Sequence, residues 1–102
     1  MAMEKPIAVV GLGYVGLPLS LQFARSGVNV LGLDIDPAKV TALSRGRSYI
    51  KHIEGADIRK EVKAGRFAAS TDFGLVRKVR AVIICVPRPL NKNREPDISY
   101  IL

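Results

Sequence analysis

An α/β fold built on a parallel sheet is what this 102-residue chain predicts, and three observations carry the prediction. Short apolar runs rich in β-branched residues alternate with stretches of helical periodicity. A Gly-x-Gly-x-x-Gly string joins the first run to the first helical stretch, and an acidic residue closes the second run.

Ile7 to Val10 is wholly apolar, as expected for a strand covered on both faces of a parallel sheet. Gly11 allows a tight turn. Tyr14 to Ser26 carries Val15, Leu17, Leu19, Leu21, Phe23 and Ala24 as a broad helical stripe, with Gly27 as a C-cap and Pro18 early enough to be tolerated. Val28 to Leu33 reads as the second strand, closed by Asp34. Asp36 before Pro37 is the N-cap pattern for a helix over Pro37 to Ser44. Tyr49 to Ile53 is a connecting segment. Ala56 to Ala64 repeats the helical pattern, with Ile58 and Val62 on one side, and Gly65 ends it. Phe67 to Ser70 is a short third strand, and Thr71 or Asp72 caps a short helix through Val79 with Phe73, Val76 and Val79 inward. Ala81 to Val86 is the fourth strand, Pro87 to Pro96 a non-helical loop, and Asp97 caps a further helix. Right-handed crossovers give the spatial order 3-2-1-4, so residues 1–102 form one domain, the first half of a doubly wound sheet.

Each glycine of the string has a distinct use. Gly11 makes the turn, Gly13 lets backbone amides approach a pyrophosphate, and Gly16 lets helix and strand pack closely. The helix N-terminus adds its positive end. Asp34 lies eighteen positions past Gly16, near the spacing of about 20 for an acid that accepts both ribose hydroxyls. A carboxylate there repels a 2′-phosphate, which favours NAD over NADP. The plainer alternative is a purely structural turn with Asp34 or Asp36 as a cap, but it leaves strand, helix, second strand and acid in register unexplained. Lys39, on the first turn of the second helix, either reaches the adenosine ribose or is a solvated surface lysine. An Asp34→Ala change is expected to weaken NAD binding with little loss of fold. In such sheets the ligand sits beyond the strand ends where the order reverses, so the Gly11 turn should face Val86-Pro87-Arg88.

Composition narrows the classes. With 48% hydrophobic residues the chain can bury a modest core. No apolar run approaches the ~20 residues of a membrane span, and no charged-then-apolar leader opens the sequence, so a soluble cytoplasmic protein is expected. One cysteine excludes an internal disulfide, and a single histidine leaves no metal-ligand cluster. Cys85, inside the fourth apolar run, reads as a buried structural thiol.

Gly-Leu-Gly-Tyr-Val-Gly-Leu-Pro at 11–18, Leu33-Asp34-Ile35-Asp36, Ser48-Tyr49-Ile50-Lys51-His52-Ile53, Ile84-Cys85-Val86-Pro87 and the run from Pro89 to Asp97 together resemble the N-terminal part of nucleotide-sugar 6-dehydrogenases, most of all the UDP-N-acetylglucosamine and UDP-glucose branch. The resemblance covers nearly all of the chain. It implies a Rossmann-type NAD-binding domain from an enzyme that oxidises a sugar C6 alcohol to a carboxylate in two hydride transfers. By position it assigns Gly11, Tyr14, Val15 and Gly16 to the pyrophosphate, Asp34 and Lys39 to the adenosine ribose, and Val86, Pro87, Arg88 and Pro89 to the cofactor beside the fourth strand. The family's nucleophilic cysteine, its catalytic lysine and asparagine and its sugar-nucleotide pocket lie in later segments, so no catalytic residue is assigned here and Cys85 is not that nucleophile. Two departures concern charge. Arg88 stands where the family typically has threonine, and an arginine there would alter or block cofactor contact. Acidic residues are expected near Arg47 and Arg80.

The formal net charge of +7 supports a competing reading as a polyanion-binding module through Arg77, Lys78, Arg80, Arg88, Lys92 and Arg94. No nucleic-acid reading motif accompanies that stretch, and a solvated basic surface explains it more simply. A third reading is a folded fragment that binds nothing well. In each case the fourth strand is left as a sheet edge, which invites pairing between copies.

Overall fold

A computed structural model describes residues 5–85. Four parallel strands, β1 (Ile7–Val10), β2 (Val30–Leu33), β3 (Phe67–Ser70) and β4 (Ala81–Ile84), form one sheet in the order β3-β2-β1-β4. Ile7 pairs with Val30 on one side and Ala81 on the other, and Val30 with Phe67. Helices α1 (Gly16–Arg25), α2 (Pro37–Ser44) and α3 (Gly55–Lys63) connect the first three strands, and a 3-10 helix (Phe73–Lys78) connects β3 to β4. The strand order and the parallel alternation of strands and helices are those the sequence predicts.

Side chains alternate along each strand, so this register sorts the sheet into two faces. Ile7, Val9, Val30, Phe67, Ala69 and Ile83 share one face. They meet Leu17, Leu21 and Ala24 of α1, Leu43 of α2 and Ile58 of α3 in a single apolar core. The opposite face is covered less evenly: Ala8 and Leu33 are fully buried, whereas Val82 and Ile84 are exposed, Ile84 at 66%. β3 and β4 are the two edge strands among the described residues, and the apolar run of β4 is more exposed than that of β1.

Local chemistry accounts for several helix ends. The Asp36 carboxylate accepts the Ala38 N–H at 2.9 Å with Pro37 at the first helical position, opening α2 as expected. Asp72, rather than Thr71, caps the 3-10 helix by accepting the Gly74 N–H at 2.9 Å. Gly27 and Gly65 adopt positive φ values of 94° and 77° just past α1 and α3, which is the left-handed exit that glycine permits. Within the loop after α2, Ser48 Oγ bonds both the N–H and the C=O of Ile50, and the Ile50 side chain enters the core.

Four expectations change. The second strand begins at Val30 rather than Val28. The first helix begins at Gly16 rather than Tyr14, because residues 13–15 form the turn that leads into it. Phe73 and Val76 do not face inward; they are 36% and 38% exposed. At three residues per turn these two stack on one line, and that line is exposed, while Leu75 and Val79 are half-buried and line a surface pocket together with Leu31 and Ala68. The fourth strand is assigned from Ala81 to Ile84, and Val86, the Pro87 to Pro96 loop and Asp97 lie outside the described residues.

Candidate functional site

The glycine turn leaves β1 at its carboxyl end and is held from several sides. Gly11 takes a φ of 95°, open to glycine at no steric cost, and its N–H donates to the Leu33 carbonyl of β2 at 2.7 Å. Gly16 sits so close to this turn that an added Cβ would lie 1.6 Å from the Gly11 carbonyl oxygen and 3.3 Å from the Cys85 Cβ. That contact also places the end of β4 against the start of α1. Gly13 is the reverse case, since a Cβ there would meet nothing within 4 Å. Space beside the Gly13 backbone is therefore open, and Tyr14 and Val15, 79% and 66% exposed, flank it at the N-terminus of α1. Backbone amides and the positive end of a helix bordering open space make a cradle for an anionic diphosphate.

Asp34 ends β2 on the neighbouring side of this cradle. It is only 8% exposed, and both its oxygens are engaged: Oδ2 accepts the Leu12 N–H at 2.8 Å and Oδ1 the Asp36 N–H at 2.9 Å. The expectation of a residue near the crevice surface whose loss spares the fold is corrected by this geometry, because the carboxylate ties the glycine turn to the end of β2. Each oxygen keeps a second lone pair, so a ribose hydroxyl can still be accepted.

The sequence places Tyr49 in a connecting segment and in one of the motifs that carry the family resemblance, and assigns it no role of its own. Its hydroxyl donates to the Leu12 carbonyl at 2.5 Å, across 37 residues of chain, and its ring lies under the Lys39 ammonium at 5.7 Å from the centroid. Burial, and then the nearby charges of Asp34 and Asp36, push the Tyr49 hydroxyl well above its ordinary value of 10.0, so it stays a protonated donor. The signal was faint: one aromatic residue in a polar loop, with nothing in the local pattern that points back to the turn. Lys39 is half-buried rather than freely solvated.

The structure thus brings together Gly11, Gly13, Tyr14, Val15, Gly16, Asp34 and Lys39. Val86, Pro87, Arg88 and Pro89 lie outside the described residues. Cys85 is half-buried rather than fully buried. Its N–H donates to the Val10 carbonyl at 2.7 Å, and burial raises the thiol above its ordinary value, which keeps it a poor nucleophile. Arg77, Lys78 and Arg80 are exposed, whereas the other basic residues of that stretch are beyond the described part. Among the described residues no His, Cys, Asp or Glu group could hold a metal ion, and no helix is long and apolar enough to cross a membrane.

Comparison with known proteins agrees with this geometry. Residues 5–102 match the UDP-glucose/GDP-mannose dehydrogenase family, NAD binding domain. UDP-N-acetyl-D-mannosamine dehydrogenase of Escherichia coli is 34% identical over 95 residues, 93% of this chain and 22% of that protein. UDP-N-acetyl-D-glucosamine 6-dehydrogenase of Pseudomonas aeruginosa is 30% identical over 96 residues, again 22% of its length. Among solved structures, a ternary complex of GDP-mannose dehydrogenase from Pseudomonas aeruginosa superposes with a TM-score of 0.82 at 32% identity, covering 93% of this chain and 22% of that one. The chain therefore spans less than a quarter of the relatives it matches, and over that span it belongs to the UDP-glucose/GDP-mannose dehydrogenase family, whose NAD-binding domain it carries.

Proposed function

We propose that NAD is held with its pyrophosphate over Gly11, Gly13, Tyr14, Val15 and Gly16 at the start of α1, its adenosine ribose hydroxyls on Asp34, and Lys39 alongside. The observation that carries this reading is the open space at Gly13 beside the N-terminus of α1, with the Asp34 carboxylate at the adjoining strand end. Asp34 and Asp36 together set negative charge where NADP would place its 2′-phosphate. Residues 1–102 act as one half-domain of this kind, in the cytoplasm, where the cofactor is available.

The whole enzyme is proposed to oxidise the C6 alcohol of a sugar nucleotide to a carboxylate, with NAD as the hydride acceptor in both steps. The relatives are named for several sugars at similar identity, so the family resemblance supports the class of substrate rather than one sugar. This chain contributes cofactor binding; no residue of it is assigned to the chemistry at C6. Among the described residues β4 ends the sheet, pairing there with a second copy is part of the proposal, and a strict monomer by light scattering at high concentration would remove that partner.

Calorimetric titration of the chain with NAD, NADP and UDP-sugars tests the reading. Binding and thermal stabilisation by NAD alone are expected. Absence of both with NAD overturns the site, and steep salt-dependent binding to DNA in its place supports a polyanion module instead.

A further inference from the structure

We propose that Tyr49 is a positioning residue for the dinucleotide, fixing the direction of the glycine-turn amides through its bond to the Leu12 carbonyl. The proposal rests on the NAD site described above. Leu12 sits between two glycines, the residues least able to hold a conformation by themselves, yet the cradle works only if the amides that follow keep one orientation.

Two side chains supply that constraint. The Leu12 N–H belongs to the peptide plane shared with Gly11, and Asp34 Oδ2 accepts it at 2.8 Å. The Leu12 C=O belongs to the next plane, shared with Gly13, and the Tyr49 hydroxyl donates to it at 2.5 Å. Peptide planes are rigid, so clamping one atom of each fixes the rotation on both sides of Leu12 and, through the second plane, the direction of the Gly13 N–H. Leu12 itself is fully buried in the core, which anchors the segment between the clamps.

The same Tyr49 ring lies beneath the Lys39 ammonium at 5.7 Å, the cation carried by the helix that Asp36 opens. One ring therefore steadies the phosphate-facing turn and a lysine beside the ribose-binding acid. The loop after α2 thereby becomes part of the cofactor site without touching the cofactor.

The test is Tyr49→Phe in the full chain, read by NAD titration at a temperature where both proteins are fully folded, with amide hydrogen exchange in the absence of NAD. The expected result is about three- to tenfold weaker NAD binding, the range for loss of one hydrogen bond, with faster exchange confined to residues 12–15 and unchanged exchange in β2. Unchanged affinity with only a lower unfolding temperature overturns the proposal, since that is what a merely structural bond would give. If Tyr49→Phe does not fold, the wild-type chain decides: saturation with NAD should shift the Tyr49 ring resonances together with Gly13, and a shift at Gly13 alone overturns the proposal. If the wild-type chain binds no NAD, the underlying site is wrong, and faster exchange in Tyr49→Phe still reports whether the clamp exists.

Discussion

Gly16→Ala is the sharpest perturbation of this site. The new Cβ would stand 1.6 Å from the Gly11 carbonyl oxygen and 2.8 Å from its carbon. Separations under 3.0 Å are essentially never tolerated, so the first contact must open by at least 3.0 − 1.6 = 1.4 Å. Both partners are backbone, and no rotamer change can relieve them. Gly11 is tied to Leu33 by its 2.7 Å bond, and Gly16 is packed with Leu17 at the buried start of α1. Overpacking of side chains costs about 1–3 kcal/mol; with a backbone partner the upper end applies. For a domain of this size about 3 kcal/mol corresponds to a fall of roughly 12–24 °C in unfolding temperature. Thermal unfolding followed by circular dichroism measures it, and NAD titration at low temperature should show binding lost as the turn is displaced. Gly13→Ala is the matched control, because its Cβ enters open space: the fold should persist while NAD binding weakens. Unfolding of Gly16→Ala within about 2 °C of wild type would refute the close approach of α1 to the turn.

Other consequences follow from the same geometry. Asp34→Ala strands the Leu12 and Asp36 amides, and at about 1–3 kcal/mol per unsatisfied buried group it should lower the unfolding temperature as well as NAD affinity; a normal melting curve counts against the clamp. Glu61 is 1% exposed, with its Oε1 accepting from Arg66 Nε at 2.7 Å. Arg66→Ala leaves that carboxylate uncompensated and should cost about 2–3 kcal/mol, discounted because the Arg66 side chain is 34% exposed, whereas Glu61→Leu should cost less in urea unfolding. Tyr49 keeps its proton in the folded chain to higher pH than when unfolded. Its contribution to stability is therefore complete below pH 10 and lost as pH rises beyond that value. The difference in unfolding free energy between wild type and Tyr49→Phe should shrink across that alkaline range, and a constant difference contradicts the raised value.

Strand order, the glycine turn and the Asp34 position were all legible in the sequence because each depends on local signals: apolar runs, glycine spacing, an acid at a strand end. The caps of α2 and the 3-10 helix were legible for the same reason. What escaped depends on contacts far apart in the chain. The Tyr49 bond to Leu12 closes 37 residues, and no periodicity marks it. Phe73 and Val76 were misplaced because apolar residues three apart mark one line of a short helix without saying whether that line meets the sheet or solvent. The exposure of β4 likewise depends on what flanks the edge of the sheet, while its composition reads the same as that of a covered strand.

Asp34 shows why site and fold were hard to separate from sequence. One reading made it a ribose acceptor and another a cap, and the geometry makes it both a turn clamp and an acceptor with lone pairs to spare. Ribose hydroxyls bring protons to those lone pairs, so they can bind without displacing the Leu12 or Asp36 amides. A 2′-phosphate brings charge that meets both Asp34 and Asp36. In the proposed site, discrimination against NADP therefore rests on a residue that the turn needs for its own shape. Removing the carboxylate to admit a 2′-phosphate also loosens the amides proposed to hold the pyrophosphate common to both dinucleotides. Asp34→Ser should accordingly lose NAD affinity without a matching gain for NADP in parallel titrations. A variant that binds NADP as tightly as the wild-type chain binds NAD, with an unchanged unfolding temperature, would show that the two roles are separable.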